Sequence, residues 1–191
     1  LIKDDINLSG FNTSVDFQAF HGLGPFEGKP QKDFRVLWYY VDLPLNWIVR
    51  KGSGIQSLKD LTDKDFSPGG LGTATEKQTQ EIFDFLGIKP KYHRGGMSDA
   101  SEAFKDRRLI GVTKAGVAPD PYIVEITTFF LIEILGLSPE EAKRISEKFP
   151  YFSPAKIPGG IYKGVEREVL TVTPMIGVGC KKDFPSDIVY K

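Results

Sequence analysis

The 191-residue chain is 40% apolar and 26% charged, a balance that excludes a disordered polymer and suits one or two compact units. Twenty-five basic side chains offset 25 acidic ones, so no long-range field draws in polyanions, and nucleic acid is not an expected partner. The longest stretch without Asp, Glu, Lys or Arg, Val169 to Cys180, has twelve residues, well short of the roughly 20 that span a bilayer.

In chain order, Ile6 to Phe11 reads as a short strand and Ser14 to His21 as a short helix with Val15, Ala19 and Phe20 inward. Arg35 to Tyr40 and Leu45 to Arg50 are aromatic and β-branched runs that meet at the bend Leu43-Pro44. From Gly52 the pattern alternates. Ser57 to Leu61 is a helical turn, Asp65 to Ser67 a brief strand and Gly69 to Gly72 a flexible loop. Thr73 then caps a helix, with Glu76 reaching back to close a capping box and Ile82, Phe85 and Leu86 inward, up to the stop at Gly87.

Tyr92 to Arg94 follows as a strand, and Asp99 with Glu102 as a second capping box over a helix that turns Ala103 and Phe104 inward. Ile110 to Val117 is the next strand, and Asp120-Pro121 opens a helix. Phe129 to Leu135 is a buried strand, and Ser138-Pro139-Glu140-Glu141 starts a helix with Ala142, Ile145 and Phe149 on one face. Such alternation predicts an α/β fold with a mostly parallel sheet covered by helices on both faces. After Pro150 the chain reads as turns, then as one β run from Val169 to Val178 and a last helix after Asp183. An aromatic strand pair thus enters the alternating unit and a long strand leaves it.

The loop from Gly69 to Thr75 is the strongest candidate site, because glycines admit a ligand to the backbone and the helix behind it presents free N–H groups. It lacks the Lys-Ser/Thr of a phosphate-binding Walker loop and the third glycine of a dinucleotide fingerprint. Taken alone, it reads equally as an anion-binding helix N-terminus or as an ordinary strand-to-helix turn. His21 and His93 have no partner at metal-ligand spacing, so both read as surface or structural histidines. Cys180 stands alone, which excludes an internal disulfide and leaves the redox compartment open; in Gly177-Val178-Gly179-Cys180 it reads as a small buried apolar residue. No cofactor or metal site is expected.

Four passages in order resemble the TAXI family of TRAP-transporter solute receptors. They are Gly22 to Phe26 with Asp33 to Leu37; Ile48 to Leu61 running on to Gly72-Thr73-Ala74-Thr75-Glu76; Ala115-Gly116-Val117 before Asp120-Pro121; and Phe149 to Tyr162 with Thr171-Val172 and the Asp183 to Tyr190 ending. In two places the chain departs from the family. The family's "GSGTE" loop carries Ala74 here in place of a glycine, and a first-lobe passage is similar to Asn12-Thr13-Ser14, keeping amide and hydroxyl chemistry with a change of size.

The resemblance implies a two-lobed periplasmic binding protein fold of type II with one lobe incomplete. Residues 1–50 and 171–191 would form a partial first lobe with hinge strands, and 51–170 a second α/β lobe. It implies a fragment without the opening βαβ unit and closing helices of a full receptor; the start at Leu1, without Met or a basic leader, agrees with that. It further implies an extracytoplasmic bacterial receptor, not an enzyme, that closes on a small anionic or zwitterionic solute such as an amino acid or dicarboxylate and delivers it to TRAP membrane subunits. The ligand contacts would be Asn12, Thr13, Gly72, Thr73, Ala74, Thr75, Ala115 and Gly116. Two other classes share an α/β fold: an intracellular effector-binding domain of a regulator, and an enzyme using Cys180 with His21 or His93.

Overall fold

The computed structural model describes residues 8–189. The chain divides into two compact units, Leu43–Thr173 and Leu1–Asp42 with Pro174–Lys191.

The larger unit is built on a five-stranded sheet. In chain order its elements are β3 (Leu45–Arg50), a 3-10 turn (Leu58–Leu61), β4 (Asp65–Ser67), α2 (Ala74–Leu86), β5 (Lys91–Tyr92), α3 (Met97–Lys105), β6 (Gly111–Ala115), α4 (Pro121–Ile126), β7 (Ile132–Leu135), α5 (Pro139–Lys148), β8 (Ser153–Ile157) and β9 (Val169–Thr173). The strand order is β5-β4-β6-β3-β7, with β4 parallel to β5 and β6, and β3 antiparallel to both β6 and β7. Four strands therefore run the same way, and the one reversed strand, β3, lies between β6 and the edge strand β7. Residues 45–50, placed with the first lobe by the sequence reading, are hydrogen-bonded on both sides within this sheet.

Strand β3 explains the layering. Its alternate residues feed two cores: Leu45, Trp47 and Val49 pack with Phe66, Phe83 of α2 and Ile145 of α5, whereas Ile48 packs with Val112, Phe104 of α3 and Ile123 and Ile126 of α4. A central strand covered on both faces must be apolar on both, which is why it reads as a continuous run without alternation. Close packing also requires Gly111, where a Cβ would fall 2.6 Å from the Ile48 carbonyl oxygen and 2.9 Å from the Phe66 ring.

The helix ends follow their sequence chemistry with two adjustments. Thr73 Oγ1 accepts from the Glu76 N–H at 3.2 Å, Ser138 and Glu141 exchange the two bonds of a capping box at 3.1 and 2.9 Å, and Asp120 Oδ1 accepts from Tyr122 and Ile123 at 2.9 and 3.4 Å. Helix α3 begins at Met97, and its cap is Gly96, three residues before the expected cap Asp99. Asp99 is its third residue and accepts from the Gly96 N–H at 3.0 Å, so the carboxylate acts from inside the first turn. On α2 the buried face includes Phe83, while Phe85 and Leu86 are only half-buried.

The stretch after Pro150 departs further from expectation. Ser153–Ile157 pairs antiparallel with Val169–Thr173 in a two-stranded sheet. The Val169–Val178 run is broken at Pro174, which has no N–H for a ladder, and Met175–Lys181 continues as β10 of a different sheet. Phe129 is exposed ahead of β7, which starts only at Ile132.

The smaller unit contains β1 (Leu8–Asn12), α1 (Thr13–His21), β2 (Phe34–Asp42), β10 and α6 (Ser186–Val189); Ile6 and Asn7 of the expected first strand lie outside the described residues. Its antiparallel sheet has the order β1-β10-β2, and β10 bulges at Ile176/Gly177 and Val178/Gly179. A Cβ at Gly179 would meet the Phe11 ring at 2.5 Å and the Arg35 carbonyl oxygen at 2.8 Å, so the glycine lets the strands close. Helix α1 buries Ser14 and Ala19, while Val15 and Phe20, expected inward, are 38% and 41% exposed. Ser14 tolerates burial because its hydroxyl donates to Asn12 Oδ1 at 2.8 Å.

Phe83 has no exposed surface and lies 6.0 Å from Trp47 and 5.6 Å from Phe66, ring centre to ring centre. Phe83→Ala is expected to destabilise the larger unit by about 3–5 kcal/mol. Urea unfolding followed by the emission of buried Trp47 in a Trp38→Phe background checks it; a midpoint within error of the parent would refute this view of the core.

Candidate functional site

The carboxyl ends of β4, β5 and β6 point the same way, and because β3 runs opposite to them, its first residues reach the same end of the sheet. The loops to α2, α3 and α4 gather there. In open α/β sheets ligands bind in the crevice formed by such loops.

The β4–α2 loop is tied from inside. Thr73 Oγ1 donates to the Gly70 carbonyl oxygen at 2.6 Å while accepting from Glu76, so both of its roles are filled. The Glu76 carboxylate accepts from the Gly72 N–H at 2.6 Å instead of closing the box on Thr73, and its other oxygen lies 3.9 Å from Arg94 Nε. Glu76 is 5% exposed, so this backbone bond compensates much of the cost of burying a charge. The Leu71 N–H donates to the Gly95 carbonyl oxygen at 2.9 Å, locking this loop to the one before α3. Gly69, at φ +132°, brings its backbone against the first turn of α2; a Cβ there would sit 2.8 Å from the Glu76 nitrogen.

What remains unspent is local. The Thr75 hydroxyl is half-buried and makes no hydrogen bond, and the N–H groups of Ala74 and Thr75 donate to no described residue. They are orphan donors of a thirteen-residue helix, with the positive end of its dipole behind them.

The β6–α4 loop forms the neighbouring wall. Gly116 donates to the Pro44 carbonyl oxygen at 3.2 Å, and a Cβ on it would collide with the Asp120 carboxylate. Asp120 caps α4 with one oxygen and pairs with Lys114 Nζ at 3.3 Å with the other, while its own N–H donates to the Tyr162 hydroxyl at 2.7 Å. Lys114 Nζ also donates to the Ala115 carbonyl oxygen at 2.9 Å. Asn46 is fully buried and its amide donates to the carbonyl oxygens of Pro44 and Lys114 at 2.8 and 3.0 Å, fixing the start of β3 against the end of β6.

The expected contact residues fall in two groups. Gly72, Thr73, Ala74, Thr75, Ala115 and Gly116 share this end of the larger unit. Asn12 and Thr13 belong to the smaller unit, where Asn12 caps α1 by accepting from the Ser14 N–H at 3.1 Å and Thr13 Oγ1 accepts from the Met175 N–H at 3.0 Å. Sequence reasoning passed over Lys114, Arg94 and Asn46. The available signal was a lone Lys inside the apolar strand Ile110 to Val117 and an Asn at the head of an otherwise apolar one. Cys180 is 3% exposed within β10, and no hydrogen bond joins it to His21 at the exposed end of α1. Among the described residues, no three His, Cys, Asp or Glu side chains are grouped to hold a metal ion, and no helix is long and apolar enough to cross a membrane.

Comparison with solved structures identifies the architecture as the two-lobed fold of periplasmic binding proteins. A TctC solute binding protein from Polaromonas matches with TM-score 0.58 at 15% identity, and a periplasmic transporter with TM-score 0.55 at 13%, each alignment covering 96% of this chain and 60% of that one. MatC from Rhodopseudomonas palustris, solved with malate bound, matches with TM-score 0.53 at 13% identity over 95% of this chain and 60% of its own. At these identities the likeness is one of fold, and the chain spans about three-fifths of the length of those proteins. The chain belongs to the NMT1-like family, whose pattern it matches over residues 1–191.

Two outcomes follow from the local chemistry. Asp120→Ala removes the α4 cap and strands Lys114, and is expected to cost about 1–3 kcal/mol in urea unfolding of the larger unit. In the smaller unit, burial pushes the Asp16 carboxyl up from 3.8 to about 7, against the opposing pull of hydrogen bonds from the Asn12 backbone and the Tyr39 hydroxyl. Between about pH 4 and 7 the folded form keeps a proton that the unfolded chain has released, so stability falls as pH rises through that window and levels off above it. The urea midpoint followed by Trp38 emission in a Trp47→Phe background is expected to be lower at pH 8 than at pH 5, and Asp16→Asn to flatten the difference.

Proposed function

We propose that the chain is the ligand-binding portion of an extracytoplasmic solute receptor of the TAXI type, serving a TRAP-type secondary transporter and binding a small carboxylate such as an amino acid or dicarboxylate. The observation that carries this reading is the unspent donor set at the start of α2: two free backbone N–H groups and the Thr75 hydroxyl at the carboxyl end of the parallel strands, where the N–H groups of Leu71, Gly72 and Thr73 are used internally. Membership of the NMT1-like family and the periplasmic-binding-protein fold support it, as does the order of the four family-like passages. MatC, of the same fold, was solved with malate, which makes a dicarboxylate the first ligand to try. The first-lobe contacts Asn12 and Thr13 belong to the same proposal. Binding and release require no reacting group, so the receptor is read as non-catalytic.

The test is titration of the 191-residue chain with L-malate and L-glutamate by amide NMR. A ligand held by the α2 start shifts the Ala74 and Thr75 resonances at millimolar concentration, with little rise in melting temperature. Thr75→Ala, which removes one uncharged hydrogen bond of about 0.5–1.5 kcal/mol, then weakens the titration several-fold. Shifts that avoid this turn, or an unchanged titration in the variant, would remove the proposed contact.

A further inference from the structure

The opposite end of the same sheet carries an open pocket of about 590 Å³ whose polar lining is entirely cationic or neutral. Arg50 and Lys51, at the end of β3, line it together with Ser53, Arg107 and the apolar groups Ile110 and Phe130. Five residue steps of β3, about 17 Å, separate Arg50 from Leu45 at the crevice end. The two places cannot share a small ligand.

Three features mark the pocket as more than a solvated surface. The first is unbalanced charge. Lys51 is paired with Glu166 at 2.8 Å, but Arg50 and Arg107 have no ion pair among the described residues, and no Asp or Glu lines the pocket. The neighbouring Arg108 has taken Asp106, at 3.3 Å. The second is preorganisation. Arg50 donates to the carbonyl oxygens of Phe104 and Leu109 at 3.1 and 2.8 Å, and its guanidinium carbon stands 4.9 Å from the centre of the Phe104 ring. These contacts fix the group and partly offset its charge, but pair it with no carboxylate. Burial, and after it repulsion from Arg107, hold Arg50 below its ordinary pKa. The third is Ser53, a residue of the pocket wall whose hydroxyl oxygen is turned away from solvent and has no hydrogen-bond partner. A buried hydroxyl without a partner is costly unless something outside the chain supplies one.

We propose that this pocket binds a small oxyanion, a phosphate or carboxylate group, between Arg50, Arg107 and the Ser53 hydroxyl, independently of the crevice at the other end of the sheet. Two guanidinium forks suit a planar or tetrahedral oxyanion, and a turn of the Ser53 side chain about χ1 brings its hydroxyl round to donate to it. A pocket of this volume admits the rest of a small metabolite.

Arg107 offers a clean variant. It sits at φ +62°, just past the end of α3, in a backbone region that Asn adopts more easily than Arg. Arg107→Asn therefore removes the charge without disturbing the fold, and Arg107→Lys restores it.

The experiment is amide NMR of the 191-residue chain titrated with sodium phosphate and, separately, sodium acetate, against sodium chloride at equal ionic strength. The proposal expects shifts centred on residues 50–53 and 107–110 with phosphate, acetate or both. Arg107→Asn and Ser53→Ala should each weaken the response, the former about tenfold, with Arg107→Lys recovering part of it. A phosphate response confined to this pocket alongside an unchanged Thr75→Ala titration separates it from the crevice. Equal shifts with chloride, shifts at residues 72–76 in place of these, or indifference to Arg107→Asn would overturn it. So would binding to anionic lipid vesicles with no response to either small anion.

Discussion

The burial of one short strand on all sides governs this molecule. Between Leu45 and Val49 every residue of β3 is inaccessible, with hydrogen-bonded neighbours along both edges and helices over both faces. Because β3 alone runs against its neighbours, its first residues stand beside the carboxyl ends of the parallel strands and its last beside their amino ends. The Asn46 amide serves the first end by stitching Pro44 to Lys114, and Arg50 serves the second by capping the carbonyl end of α3. One candidate site thereby includes the end of this buried strand and the other stands beside its start.

At the crevice end the chain has spent most of its polar groups on itself. Glu76 holds Gly72, Thr73 holds Gly70 and Glu76, and Asp120 holds both α4 and Lys114. Such internal bonding leaves a small, stiff set of donors, which favours orientation of a ligand over adaptation to many.

Much of this was legible in the sequence because local chemistry dictated it. Thr73, Asp120 and Ser138 announce their helices by side-chain caps, Gly87 closes α2 in the left-handed region, and β4 and β6 fall within the strands expected at Asp65 to Ser67 and Ile110 to Val117. The errors came where long-range pairing decided the outcome. Val169 to Val178 looks continuous, yet Pro174 divides it between two sheets, and Ser153–Ile157 is a strand only because β9 lies beside it. The same holds for the site. That Thr73 would cap α2 was readable, but that its hydroxyl would be exhausted by Gly70, leaving Thr75 free, depended on how the loop folds back. Asn46 and Lys114 became visible only once β3 and β6 were known to be neighbours.

The hydrogen bond from Thr171 Oγ1 to the Leu45 carbonyl oxygen, 2.6 Å long and buried, joins positions 126 residues apart at the two ends of the larger unit. A segment whose start and finish are clasped in this way is topologically a closed loop, so it needs nothing outside itself to bring its ends together. In evolutionary terms that makes it a cassette: it can be lifted out, rejoined end to end or reopened at a surface turn while the sheet, both cores and both poles keep their connections.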